Sequence, residues 1–178
     1  MAENHNNVAL REAEQADTEV ICRLWLALMQ EHELLDQRFV LSEDAGIRWK
    51  NDLPMWLEDG TRKIVLAENA GNVVGFIQAH RRVEPPIFKE IPEVYIDEVY
   101  VVPSQRGHGV GRLLLDEIKD WAERGGAEII RLRVLAENEA GKLFWERSGA
   151  QQMDVTYTLT LENKTENAKK KSFRKLGF

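Results

Sequence analysis

The sequence predicts a single α/β (α+β) domain built on a mixed sheet. Three observations carry this reading. The chain has 178 residues, enough for one core and short for two. Apolar residues make up 43% and charged residues 30%, the balance of an ordinary globular protein. Segments of helical period alternate along the chain with strand-like runs and turn signals.

Residues 8–12 read as a short strand. Residues 18–31 read as a helix, with Asp17 as N-cap and Val20, Ile21, Leu24 and Leu28 along one face. Residues 42–58 form a second helical stretch, capped by Ser42 and disturbed by Pro54. Residues 63–68 and 73–82 flank Asn69-Ala70-Gly71-Asn72, a hairpin signature. Residues 82–92 are a loop marked by Pro85 and Pro86, and 94–102 a strand ended by Pro103. Residues 109–124 form an amphipathic helix, because Val110, Leu113, Leu114, Ile118, Trp121 and Ala122 recur at helical spacing. Gly125-Gly126 stop it. A strand at 129–135 and a short helix at 139–148 follow, the latter ended by Gly149. Met153, Val155, Tyr157, Leu159 and Leu161 alternate with polar residues, the pattern of a half-buried strand. The domain is accordingly drawn over 1–161, with 162–178 as a tail.

The formal net charge is −6. Six of the 24 basic and two of the 30 acidic residues fall in 162–178. An acidic body of net −10 therefore carries a basic tail of +4. This argues against a dedicated nucleic-acid binder and suits a cationic partner. The single Cys22 excludes a disulfide framework and a thiolate zinc site. It lies in the apolar run 21–29 and reads as core. His5, His32 and His80 lack ligand-like spacing, so no metal is expected. The polar start has no signal-peptide pattern. No apolar run approaches the roughly 18 residues of a membrane span. A cytoplasmic location is the expectation. The tryptophans at helical positions read as core, with Trp49 and Trp56 placed to line an acceptor pocket if one lies there.

The most informative stretch runs from Tyr95 to Arg112. A strand enters a Gly-rich turn, and the turn opens a helix. The first helical N–H groups lack intrahelical partners, and the dipole there is worth about half a positive charge. Such a turn binds phosphate. Arg106 and Arg112 add fixed positive charge, and His108 sits in the turn. The spacing Gly107-x-Gly109-x-Gly111 is neither a dinucleotide fingerprint nor a P-loop.

Arg106-Gly107-His108-Gly109-Val110-Gly111, after Val101-Val102-Pro103, resembles the acyl-CoA pyrophosphate loop of the GNAT superfamily of N-acyltransferases. Arg106, Gly109 and Gly111 meet its Gln/Arg-x-x-Gly-x-Gly/Ala pattern. Asn138, followed by the helix carrying Phe144-Trp145-Glu146-Arg147-Ser148-Gly149-Ala150, resembles a second family segment. The resemblance spans roughly 63–161. It implies a mostly antiparallel sheet, splayed between strands 94–102 and 129–135 and flanked by helices. It implies acetyl-CoA as cofactor, with pantetheine on backbone groups of Tyr100, Val101 and Val102. The pyrophosphate would lie on the amides of Arg106, Gly107, His108, Gly109, Val110 and Gly111, beside Arg112, with Asn138 on the far side. Two positions depart from the family. Its tyrosine falls on Trp145 and its alanine on Gly141. An indole N–H donates a hydrogen bond but cannot supply a proton near neutral pH, so what replaces the family's general acid stays open. Trp145 is expected to pack on the cofactor.

Acyl transfer to an amine needs a base, because a lysine-like amine has a pKa near 10. Asp97 and Glu98 are the candidates. Strict strand alternation sends them to opposite faces, Asp97 with Tyr95, Val99 and Val101, and Glu98 with Ile96 and Tyr100. Asp97 is preferred over Glu98, with a water chain third. A solvated carboxylate paired with Arg131 or Arg133 is the bland reading of either. The expected function is acetyl transfer to a primary amine, of a small molecule or a protein, on a cationic acceptor. The alternative is a non-catalytic acyl-CoA sensor or scaffold. Homodimerisation is left open.

Overall fold

A computed structural model of the chain describes residues 8–82 and 91–159. Five strands lie in the order of the chain: β1 (Val8–Glu12), β2 (Arg62–Asn69), β3 (Asn72–Arg82), β4 (Glu93–Val101) and β5 (Ile129–Leu132). The first four pair antiparallel, and β4 with β5 is parallel. Two helices precede β2, α1 (Thr18–Leu35) and α2 (Ala45–Glu58). α3 (Val110–Arg124) links β4 to β5, and α4 (Glu139–Arg147) follows.

The sheet is covered on both faces. Ile64, Leu66, Phe76 and Tyr100 meet Ile21, Trp25, Trp49 and Leu53 of α1 and α2. Val65, Ala67, Ile77 and Ile96 meet Leu114, Ile118 and Trp145 of α3 and α4. This explains the unbroken apolar run 64–67, since a strand buried on both faces needs no alternation.

Several details differ from the sequence expectations. α1 runs to Leu35, four residues past the expected end. The Asp17 carboxylate does not cap it. It takes two hydrogen bonds from Arg11, at 2.6 and 2.7 Å, and one from the Glu14 amide. α2 begins at Ala45, whose amide donates to the Ser42 carbonyl, and keeps Pro54 inside its last turns. β5 ends at Leu132. The expected strand at 153–161 does not form over its described part, 153–159. Met153, Val155, Tyr157 and Leu159 are exposed. Alternation says which face a strand would bury, but burial also needs a neighbouring strand edge, and this segment does not pair with β5. Most of the loop 82–92 and the basic tail lie outside the described residues.

The register between β4 and β5 positions the site. Only Glu93–Ile96 of β4 pairs with Ile129–Leu132. Beyond Ile96 the strands part, and β4 runs on to Val101 along the gap. The splay implied by the family resemblance is therefore present.

Candidate functional site

β4 leads through a 3-10 turn (Pro103–Gln105) into α3. Gly107 and Gly109 adopt φ of 77° and 85°, a region that costs other L-residues energy. The Gly109 carbonyl accepts from Arg112 and Leu113, so the amides of Val110 and Gly111 precede the helical ladder and point out of its N-terminus. Asn69 anchors the turn by donating to the Gln105 side chain at 3.0 Å. At Gly111 a Cβ would lie 3.3 Å from the Phe144 ring, so α4 packs closely there.

The two arginines expected to supply fixed charge are engaged elsewhere. Arg106 donates to the Val101 carbonyl at 2.8 Å and to Glu31 at 2.6 Å, and lies over the Tyr100 ring. Arg112 pairs with Asp116 one turn on. Both carboxylates lie nearby in the chain's own fold and meet the guanidinium at short range. The positive pole is thus chiefly the backbone. The Tyr100 phenol donates to Glu31 at 3.2 Å, and burial, with Glu31 next, pushes its pKa up. His108 lies exposed in the turn.

The Val102 amide donates to the Val74 carbonyl across the β3–β4 ladder at 2.9 Å. Antiparallel pairing alternates direction. The backbone groups of Val99 and Val101 therefore point away from β3, into the gap. Asn138 caps α4, its Oδ1 accepting from the Gly141 amide at 2.8 Å. A Cβ at Gly141 would sit 2.7 Å from the Asn138 amide nitrogen, which accounts for glycine at this position. Trp145 is 8% exposed and packs into the α3–α4 core beside Phe144, so little of its surface is available to a ligand.

The acidic pair corrects the alternation argument. Gln78 pairs with Glu98, but Ala79 pairs with Ile96. Asp97 is therefore the extra residue of a β-bulge. Beyond it the phase of β4 shifts by one. Ile96, Val99 and Val101 now face the α3 layer, while Tyr100 faces α1 and α2. Asp97 and Glu98 both meet groups of the α1/α2 side. Asp97 Oδ2 lies 2.8 Å from His80 Nδ1 and 3.3 Å from an Arg62 nitrogen. Arg62 in turn lies over the Trp56 ring. Neither Arg131 nor Arg133 is its partner in these contacts. Arg131 instead pairs with Glu93 at 2.5 Å.

Glu98 lies in a different setting. Its Oε2 is buried with no hydrogen-bond partner among the described residues. Burial, and then the Asp97 charge, raise its pKa to about 7. The Trp25 indole, Arg62 and the Trp49 indole oppose this shift without cancelling it. Trp25 and Trp49 stack at 4.9 Å, and Trp56 meets Trp49 edge-on. Sequence reasoning missed Glu31, Arg62, His80 and Gln78. Gln78 alone left a local signal, a lone amide in the apolar run 73–79. Among the described residues no cluster of His, Cys, Asp and Glu could hold a metal, and no helix is long and apolar enough to cross a membrane.

Comparison with known proteins fits this arrangement. A protein of Bacillus subtilis named Uncharacterized N-acetyltransferase YhfO is 30% identical over 99 residues, 54% of this chain and 63% of that protein. The L-2,4-diaminobutyric acid acetyltransferase of Nocardia farcinica is 26% identical over 131 residues, 71% of this chain and 65% of that protein. Each alignment thus spans under two thirds of the relative. The structure of a mutant of the BH1408 protein from Bacillus halodurans superposes with a TM-score of 0.79 at 21% identity, covering 86% of this chain and 99% of that one. Residues 25–150, which hold the splay, the glycine turn and both carboxylates, match the acetyltransferase (GNAT) family, and to that family the chain belongs.

Proposed function

We propose that the protein transfers an acetyl group from acetyl-CoA directly to a primary amine of a cationic acceptor, with Glu98 as the general base. One observation carries the assignment of the base. Glu98 keeps one carboxylate oxygen, Oε2, buried and without a hydrogen-bond partner among the described residues, and burial pushes its pKa up to about 7, whereas Asp97 is held by His80 and Arg62. A base works best with a pKa near the working pH. This reverses the sequence preference for Asp97.

The residues present suit acetyl-CoA. The left-handed glycines and the leading amides of α3 offer donors to a pyrophosphate. The gap-facing groups of Val99 and Val101 offer an edge to an extended amide chain, once Arg106 releases the Val101 carbonyl. Acetyl-CoA supplies an activated thioester whose thiolate, with a pKa of about 8.5 in the free thiol, leaves readily. Glu98 takes the proton that the amine nitrogen must lose. A β4 amide at the gap is placed to donate to an oxyanion. Trp145 serves as packing in this mechanism, and solvent protonates the leaving sulfur.

The name of the Nocardia relative, a diamino acid acetyltransferase, supports a small cationic acceptor. The acidic body of the chain supports it as well. A thiol-release assay with acetyl-CoA over a panel of diamines, diamino acids and amino-terminal peptides tests the reading. Amine-dependent release that rises with pH through about 7 is expected. Acetyl-CoA binding without release over the whole panel would favour the sensor reading, which the burial of Trp145 at the family's tyrosine position keeps in view.

A further inference from the structure

We propose that Gln78 is a positioning residue for the acceptor nitrogen: its side-chain carbonyl and the Glu98 carboxylate form a two-acceptor seat that takes a primary amine in preference to a secondary one. The inference rests on the acetyltransferase reading above and names the residue that sets its amine class.

Gln78 is 2% exposed, within a strand segment that is otherwise apolar. It pairs directly with Glu98, on the face that Phe76 and Tyr100 share. Side chains so placed have Cβ atoms roughly 5 Å apart. Gln78 Oε1 and Glu98 Oε2 are both buried without a hydrogen-bond partner among the described residues. Buried polar groups almost always have one. Both atoms are acceptors once Glu98 is ionised, so the matching ligand is a donor.

The surrounding groups do not fill that need. Arg62 from β2 and His80 from β3 are held by Asp97. The indole N–H groups of Trp25 on α1 and Trp49 on α2 face Glu98, but Trp25 Nε1 itself stays without a partner and Gln78 Oε1 receives no donor among the described residues. A neutral primary amine carries two N–H donors and one lone pair. One N–H meets Glu98, the other meets Gln78, and the lone pair stays free to attack. N-methylation deletes one donor and puts a methyl group against a buried carbonyl. Sites built around a substrate N–H reject analogues that lack it.

The test titrates the full-length chain, saturated with CoA, with 1,4-diaminobutane and with its N,N′-dimethyl derivative near pH 10, where a large share of each amine is neutral. Calorimetry and tryptophan fluorescence read binding. Wild type is expected to bind the primary diamine at least about tenfold more tightly. Gln78→Met should reduce that preference to within about twofold, while Gln78→Glu, which keeps an acceptor, retains it. An unchanged melting temperature and CoA affinity certify the Met variant, and Gln78→Leu, which likewise carries no acceptor, takes its place if the Met variant does not fold. Equal affinity of wild type for the two diamines, no binding of the primary one, or a preference that survives Gln78→Met overturns the proposal. Loss of CoA binding in wild type would instead overturn the acetyltransferase reading, so the two failures are distinct.

Discussion

The glycine turn follows the end of β4 and the carboxylate seat lies at its middle, and the two are built in opposite ways. The turn spans nine consecutive residues, Pro103–Gly111, and its chemistry comes from the backbone. The seat draws side chains from five elements: Trp25 on α1, Trp49 on α2, Arg62 on β2, Gln78 and His80 on β3, and the acidic pair on β4. A backbone site needs only local conformation, so its residue types are dictated by φ and by close approach. A side-chain site needs packing to assemble it, and burial then sets its electrostatics. On the proposed reading, the first holds a cosubstrate phosphate and the second takes the proton.

Substitutions should separate the two regions cleanly. Glu98→Gln should have the largest effect. Loss of a positioned base typically costs 10²–10⁴ in rate, and a fall of about that size in kcat/KM for the amine is expected. The KM for acetyl-CoA should hold within about twofold. A large rise in that KM would mean the regions are not independent. Gly109→Ala forces a left-handed φ on a residue with a Cβ, at about 1–2 kcal/mol. Acetyl-CoA binding should weaken roughly tenfold while the pH profile stays in place.

Asp97→Asn probes coupling inside the seat. It removes the second of the two causes that raise Glu98. The Glu98 pKa therefore falls, more of the carboxyl is ionised at pH 6, and the acidic limb of kcat/KM moves down by about one pH unit. A collapse of activity at every pH would instead make Asp97 the base. Trp145→Phe should do least. It keeps an aromatic ring in the α3–α4 core, so kcat should change by severalfold at most, with stability lowered by about 1 kcal/mol. A loss beyond about a hundredfold with normal acetyl-CoA binding would show that the indole takes part in the chemistry.

Much of this contrast was visible in the sequence, and the reason follows from it. Gly107 and Gly109 follow a strand and open a helix, and each has a local cause in its left-handed φ, whereas Gly111 meets Phe144 of α4. Asn138 and Gly141 likewise form a cap within four residues. The partners of the acidic pair could not be read in this way. Arg62 and His80 lie 35 and 17 residues from Asp97. Glu31 lies 75 residues from Arg106, and no local pattern announces the pair that engages the loop arginine. The alternation argument failed at Asp97 because a bulge depends on how two strands register, a property neither carries alone. Residues 153–159 failed in the converse sense, with a strand pattern but no paired edge.

The bulge also makes Asp97 an insert in β4. Ile96 and Glu98 already face opposite layers, and their partners Ala79 and Gln78 are adjacent on β3. Without Asp97 the ladder would simply close. Every other side chain of β4 would keep its direction, Glu98 would stay in its seat, and only the neighbouring charge would go. Most strand residues cannot be deleted without turning half the strand inside out. This one can, so a change of one codon in length adjusts the acidity of the site and leaves its architecture standing.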